Sequence, residues 1–352
     1  MKNSTRRSFI NKSVAALGLS ALPASAFSFN IIRNLLPKGD IIGHGDFKYR
    51  VNKEWGIQDP AKIPVNDCHE MVQDKRGRLF LLTNQVKNNM IIYDRSGKVT
   101  GTWTVDFPGA HGLTLAEEGD EEFLFITDTD IHKVVKTTLD GKVLLELDYP
   151  QMVDAYQEAG QWKPTETTVA PNGEFYVADG YGQNVIVRYS AKGEYIGHFG
   201  GKGQGDSQFD CCHGITLDTR DGKNDTLLIT SRSANQFKRF SLEGQHLETI
   251  DLPGCWICRP VIKDDVLYFA VIVTKTWDSY DGMVAVLDSD NKIVSLPGAT
   301  NPPDYASGKL SAPDSDLQTF LNPHDVCIDN DLNIYVPQWN SENTYPVMLE
   351  RV

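Results

Sequence analysis

Four histidines open equivalent short segments of the chain: His69-Glu70-Met71, His111-Gly112-Leu113, His213-Gly214-Ile215 and His324-Asp325-Val326. Three are evenly spread, with 102 residues from His111 to His213 and 111 from His213 to His324. Imidazole suits zinc, and three such donors leave a fourth position open, as in catalytic zinc sites. Each of the three precedes a small or acidic residue and then an apolar run. His111, His213 and His324 are therefore read as metal ligands, with zinc as the expected cofactor. His69 lies outside their spacing and is not counted as a ligand. His44, His132, His198 and His246 read as strand or surface histidines.

Such a set needs a frame that brings distant histidines to one axis, and internal repetition supplies it. The clearest unit runs from Thr167 to Phe199: an apolar strand, an Asn-Gly turn, two further strands, a Lys-Gly turn and a fourth strand. Similar units begin at His69, His111 and His213, a looser one runs from Arg259 to Leu296, and a last begins at His324. Short alternating strands with such turns, at about 40–50 residues per repeat, are four-stranded propeller blades. The fold expected is all-β, a six-bladed β-propeller over residues 46–352. The last unit has room for three strands, and the segment Asp46 to Glu54 can add the fourth and close the ring, removing open sheet edges. Two stretches interrupt the repeats: Pro150 to Lys163, with a helical turn, and the loop from Pro297 to Leu321.

The first strand of each blade lines the channel, so its first residues form a ring: His69, His111, Thr165, His213, a residue near Cys258 and Arg259, and His324. The three spaced histidines fall on blades two, four and six, about 120° apart around the axis. The second strand of each blade returns to the same face, which brings Tyr181 and Arg232 beside them. A phenol has an ordinary pKa near 10, and a nearby cation lowers it toward the range of a useful base. The competing reading is a ring of polar channel residues in a non-catalytic propeller, an exported module that binds a ligand or a protein on one face.

The bulk properties narrow the function. A net charge of −13 excludes a sequence-independent grip on nucleic acid. Residues 1–26 read as a twin-arginine signal peptide: Arg6-Arg7 leads an apolar run ending in Ala24-Ser25-Ala26. Residues 27–45 form an N-terminal extension. The mature chain is expected in the periplasm or outside the cell, without a membrane span and as a monomer. Six cysteines, Cys68, Cys211, Cys212, Cys255, Cys258 and Cys327, permit disulfides without amounting to a disulfide scaffold. Cys255-Trp256-Ile257-Cys258 has redox-motif spacing but lacks the βαβ setting of a thioredoxin-like site, so a disulfide or buried thiols are expected there.

The segments HGLTL at 111, ITDTDIHKVVK at 126, DGYGQNVIVRYSAKGEYI at 179, HGITL at 213 and PHDVCID at 323 resemble, in order, the blade signatures of NHL-repeat propellers. More narrowly they resemble the peptidyl-α-hydroxyglycine α-amidating lyases. The resemblance covers His111 to the C-terminus and weakens before it. It implies zinc on His111, His213 and His324, Tyr181 as base, and Arg232 beside the metal. It also implies a channel calcium held by Asp325 and the backbone near Leu113. Two positions depart from the pattern: Asn84 stands at or near a substrate-holding arginine, and Gly182 stands where the family has a disulfide cysteine. The implied chemistry is a lyase, less readily a hydrolase, acting on a small α-hydroxy, peptide-end or sugar-derived substrate at the channel mouth.

Overall fold

A computed structural model describes residues 39–352. The signal peptide and most of the extension read from the sequence lie outside the described residues. Six antiparallel sheets follow one another along the chain, five of four strands and one of five. The chain is thus a six-bladed β-propeller. Blade one holds Cys68–Gln73, Leu79–Thr83, Met90–Tyr93 and Val99–Trp103. Blade two runs from Ala110–Glu118 to Val143–Leu147, and blade three from Glu166–Val169 to Tyr195–Gly200. Blade four runs from Ile215–Asp218 to His246–Asp251, and blade five from Val261–Lys263 to Ile293–Ser295.

Blade six closes the ring. Its strands Cys327–Ile328, Ile334–Val336 and Val347–Arg351 are joined by Phe47–Asn52 from the other end of the described chain. Val51 pairs with Leu349 and Tyr49 with Arg351. Ile41–His44 adds a fifth strand outside Phe47–Asn52. The sheet therefore starts at Ile41, earlier than the boundary at residue 46 read from the repeats. One turn at Gly45, with φ of 56°, explains how the chain doubles back within so short a segment.

The core lies between blades. Phe80, Leu82 and Ile92 of blade one pack on Leu113, Leu124 and Ile126 of blade two, all buried. The same alternation recurs between blades five and six, where Tyr268, Val284 and Val286 meet Ile334, Val336 and Leu349. Each blade thus covers its neighbour's apolar face, and the strands nearest the axis carry polar residues into the channel. The stretch after blade two contains the short 3-10 turn Ala159–Gln161, and residues 297–321 carry no strand. All six cysteines are free thiols, five of them buried. Among the described residues no helix is long and apolar enough to cross a membrane.

Candidate metal centre

Local backbone irregularities aim the histidines at the axis. The register of blade one shifts between Cys68 and Glu70, and that of blade two between Ala110 and Leu113, so His69 and His111 each sit in a bulge. A bulge adds an unpaired residue and turns its side chain away from the regular alternation. Glycines follow two of the histidines because the next blade leaves no room. A Cβ at Gly112 would stand 2.4 Å from the Thr165 carbonyl oxygen, and one at Gly214 would stand 2.6 Å from the Cα of Arg259.

The structure brings His111, His213 and His324 together at the channel mouth, each at most 2% exposed. The Nε2 atoms of His111 and His213 lie 3.2 Å apart. Two ligands on a tetrahedral zinc at 2.0–2.1 Å would be separated by about 3.3 Å. The His324 ring centroid is 4.9 Å from that of His111 and 5.0 Å from that of His213. The Thr165 carbonyl oxygen lies 2.9 Å from His111 Nδ1, and the His69 carbonyl oxygen 3.1 Å from His324 Nδ1. A carbonyl only accepts, so both Nδ1 atoms carry the proton and both Nε2 atoms present a lone pair. Burial, added to by the neighbouring imidazoles and Arg232, holds all three histidines well below their ordinary pKa. The Nε2 atoms of His111 and His324 are thus oriented as a divalent cation requires, while His213 brings its Nε2 to the same point with its Nδ1 buried and unpartnered.

His69, set aside in the sequence, stands with them. Its ring centroid is 4.9 Å from that of His111 and 4.8 Å from that of His324, and the potential ligand atoms of these three lie within 4.8 Å of one another. Burial, then Arg232, lowers its pKa to about 3, and its Nδ1 is buried without a partner. The even spacing pointed to alternate blades and so passed over a neighbour on blade one. The shared feature, a histidine opening the inner strand, was visible at all four positions. His44, His132, His198 and His246 bond elsewhere, to Leu296 N, Trp162 O, Tyr195 Oη and Thr249 Oγ1.

Tyr181 and Arg232 reach the same point. The Tyr181 hydroxyl is 3.2 Å from His111 Nε2, 3.1 Å from His213 Nε2 and 3.3 Å from Arg232 Nη1. Arg232 is held by the Ile257 carbonyl at 2.9 Å and approaches Cys258 Sγ at 3.2 Å. Burial pushes the Tyr181 phenol up to about 12, and Arg232 offsets only part of this. Desolvation and the Arg232 guanidinium thus pull the phenol in opposite directions, with the hydroxyl set against the histidines although the residue as a whole is 41% exposed.

The loop carrying Tyr181 is fastened by Asp179. Its carboxylate accepts from Tyr156 Oη at 2.7 Å, Lys163 N at 2.7 Å and Gln183 N at 2.5 Å. A Cβ at Gly182 would stand 2.1 Å from Asp179 Oδ1 and 2.2 Å from the Gln161 carbonyl oxygen. Glycine is thus required at 182, and the hydrogen-bonded carboxylate of Asp179 fastens the loop there. Asn84 lines the mouth and bonds Asp67, with Nδ2 to Oδ2 at 3.1 Å.

The calcium expected at Asp325 and Leu113 does not fit. Arg259 extends into the channel from blade five, with Nη1 2.6 Å from the Leu113 carbonyl oxygen and Nη2 2.6 Å from Asp325 Oδ2. Its Nε reaches Asp325 Oδ1 at 3.1 Å, and Glu70 Oε2 lies 3.1 Å from Nη1. A guanidinium holds the oxygens that the cation would need, and two cations do not share them. With Glu166 also near, three carboxyl groups face one guanidinium, and burial pushes Glu70 well above the usual carboxylate range.

Comparison with known proteins agrees with the propeller and with the resemblance. No family model matches the chain. It is 26% identical over 318 residues, 83% of its length, to peptidyl-α-hydroxyglycine α-amidating lyase 1 of Drosophila melanogaster. The match spans 52% of that relative, so the chain corresponds to about half of it. Two solved structures share the fold at low identity. A catalytically inactive virginiamycin B lyase from Staphylococcus aureus with quinupristin has a TM-score of 0.56 and 14% identity, covering 87% of this chain and all of that one. A gluconolactonase from Xanthomonas campestris has a TM-score of 0.56 and 11% identity, covering 90% of this chain and 98% of that one.

Proposed function

We propose that this propeller is a metal-dependent lyase that splits the N–C bond of an α-hydroxyamide, in the manner of the amidating lyases it resembles. One observation carries the reading. Two imidazole nitrogens 3.2 Å apart, Nε2 of His111 and Nε2 of His213, share a single phenol hydroxyl, which also touches a buried guanidinium. His111, Tyr181 and Arg232 line a pocket of about 480 Å³ open at the channel mouth, together with His69 and His324.

His111, His213 and His324 would hold the cation, with His69 beside them. When bound, a divalent cation supplies a Lewis acid for the substrate's hydroxyl oxygen and lowers the proton affinity of groups around it. Tyr181, as the phenolate favoured by Arg232 3.3 Å away, takes the hydroxyl proton, becomes the phenol and can pass that proton to the leaving nitrogen. The O–H electron pair becomes the carbonyl π bond, the C–N bond breaks, and the nitrogen gains a proton to leave as the amide. No water is consumed. Arg232 stabilises the negative charge that develops on oxygen, and its fixed position beside Ile257 avoids reorganisation. Asp179 positions Tyr181 through the loop it fastens. The twin-arginine pattern at Arg6-Arg7 supports action outside the cytoplasm.

The test is a Tyr181→Phe variant assayed on an N-blocked α-hydroxyglycine. Retained metal with turnover reduced by about 100-fold or more is expected of a lost base. Turnover at the wild-type rate removes Tyr181 from the reaction. A wild-type protein that binds metal yet turns over no α-hydroxyamide leaves the binding-module reading in its place.

A further inference from the structure

One wall of the pocket is unlike the rest. Three of the six tryptophans in the chain, Trp256, Trp277 and Trp339, stand together on the side of blades five and six. The Trp256 and Trp277 rings are 5.3 Å apart at 84°, and those of Trp277 and Trp339 are 5.5 Å apart at 73°. Trp277 is 41% exposed, a large apolar surface left facing the pocket.

The wall is built into the site rather than laid on it. Asn322, two residues before His324, donates from Nδ2 to the Trp277 carbonyl at 3.2 Å and accepts from Trp339 N at 2.9 Å. Ile272 N donates to the Trp256 carbonyl at 2.9 Å, and the Ile272 side chain lines the same side. Polar lining residues, Asn84, Thr129 and Asp130, stand across the pocket on blades one and two.

We propose that the tryptophan corner receives a bulky apolar side chain next to the scissile bond, so that the substrate is an acyl-α-hydroxyglycine end whose preceding residue is aromatic or large aliphatic. The inference rests on the lyase reading and names its substrate class. Rings crossing near 80° form a corner that accepts another ring edge-to-face, or a branched aliphatic group. A sugar ring would call for an open stacking face with hydrogen-bonding groups beside it, and the side chain added to the corner is that of isoleucine. Enclosing an aromatic or leucyl side chain in such a corner gives about 10- to 100-fold in affinity over a small polar one.

The test compares kcat/KM for N-acetyl-phenylalanyl- and N-acetyl-seryl-α-hydroxyglycine in the wild type, Trp277→Ala and Trp339→Ala. The expected result is a preference of about 10- to 100-fold for the phenylalanyl substrate. In both variants the ratio between the two substrates should collapse toward unity, an internal comparison that a general loss of folding does not mimic. Equal kcat/KM in the wild type, or variants that keep its ratio, overturn the inference while leaving the lyase reading intact. Tryptophan fluorescence with the unreactive N-acetyl-phenylalanyl-glycine and N-acetyl-seryl-glycine separates the two claims. Selective binding of the first, lost in Trp277→Ala, supports the corner even if neither hydroxylated substrate is turned over. Binding of methyl glucoside in preference to either peptide overturns it.

Discussion

Arg259 grips Asp325, the residue after His324, through both carboxylate oxygens, with Nη2 2.6 Å from Oδ2 and Nε 3.1 Å from Oδ1. This pair places a fixed organic cation where the resemblance led us to expect calcium. Millimolar calcium should therefore leave the wild-type melting temperature unchanged. Arg259→Met strands buried carboxyl groups and should cost about 3–5 kcal/mol in chemical denaturation. A calcium-dependent rise in the wild-type melting temperature would contradict this account of the channel.

Asp179 predicts a pH dependence of stability. Burial pushes its carboxyl up to about 6, against the hydrogen bonds from Tyr156, Gln183, Lys163 and Gly182. A folded pKa above the unfolded value means that the folded state holds the proton more tightly. The associated stability is present below pH 4 and is lost as pH rises through about 6. Across that window the wild type should lose on the order of 3 kcal/mol relative to Asp179→Asn. Denaturation curves of both proteins at several pH values check the sign, and a wild type that gains on the variant would refute it.

His69 should matter to the metal although the even spacing leaves it out. With its ligand atom inside the 4.8 Å cluster, His69→Ala is expected to weaken metal affinity by about 10- to 100-fold. Competition against a chelator of known affinity measures this. An unchanged affinity would assign the ring to the pocket wall alone.

The cysteines make a simple chemical prediction. All six are free, so denatured, unreduced protein should react with six equivalents of a thiol reagent. In the folded state Cys211, half-buried and lining the pocket, should react first, and the other five slowly. Any thiol missing from the denatured count would reveal a disulfide.

Repetition made the fold legible because each blade repeats one pattern of apolar strand and glycine turn. The ring position of His111, His213 and His324 followed from that alignment, and so did the nearness of Tyr181 and Arg232. Arg259 was harder, since blade five has a three-residue inner strand, Val261–Lys263, and the residues before it could not be registered against the other units. Its partners lie on other blades, so the exchange of a metal for a guanidinium leaves no local signal. The tryptophan corner was hidden for the same reason, its members arriving from three separate loops. Ile41–His44 was missed because it extends the closing sheet beyond the repeating unit.

The metal content of the mature protein tests the central claim most directly. Elemental analysis of wild type purified without added metal should find about one divalent transition ion per chain, and His213→Ala, folded by circular dichroism, should have lost it. A wild type free of transition metal, or a His213→Ala protein that keeps a full complement, would contradict the account.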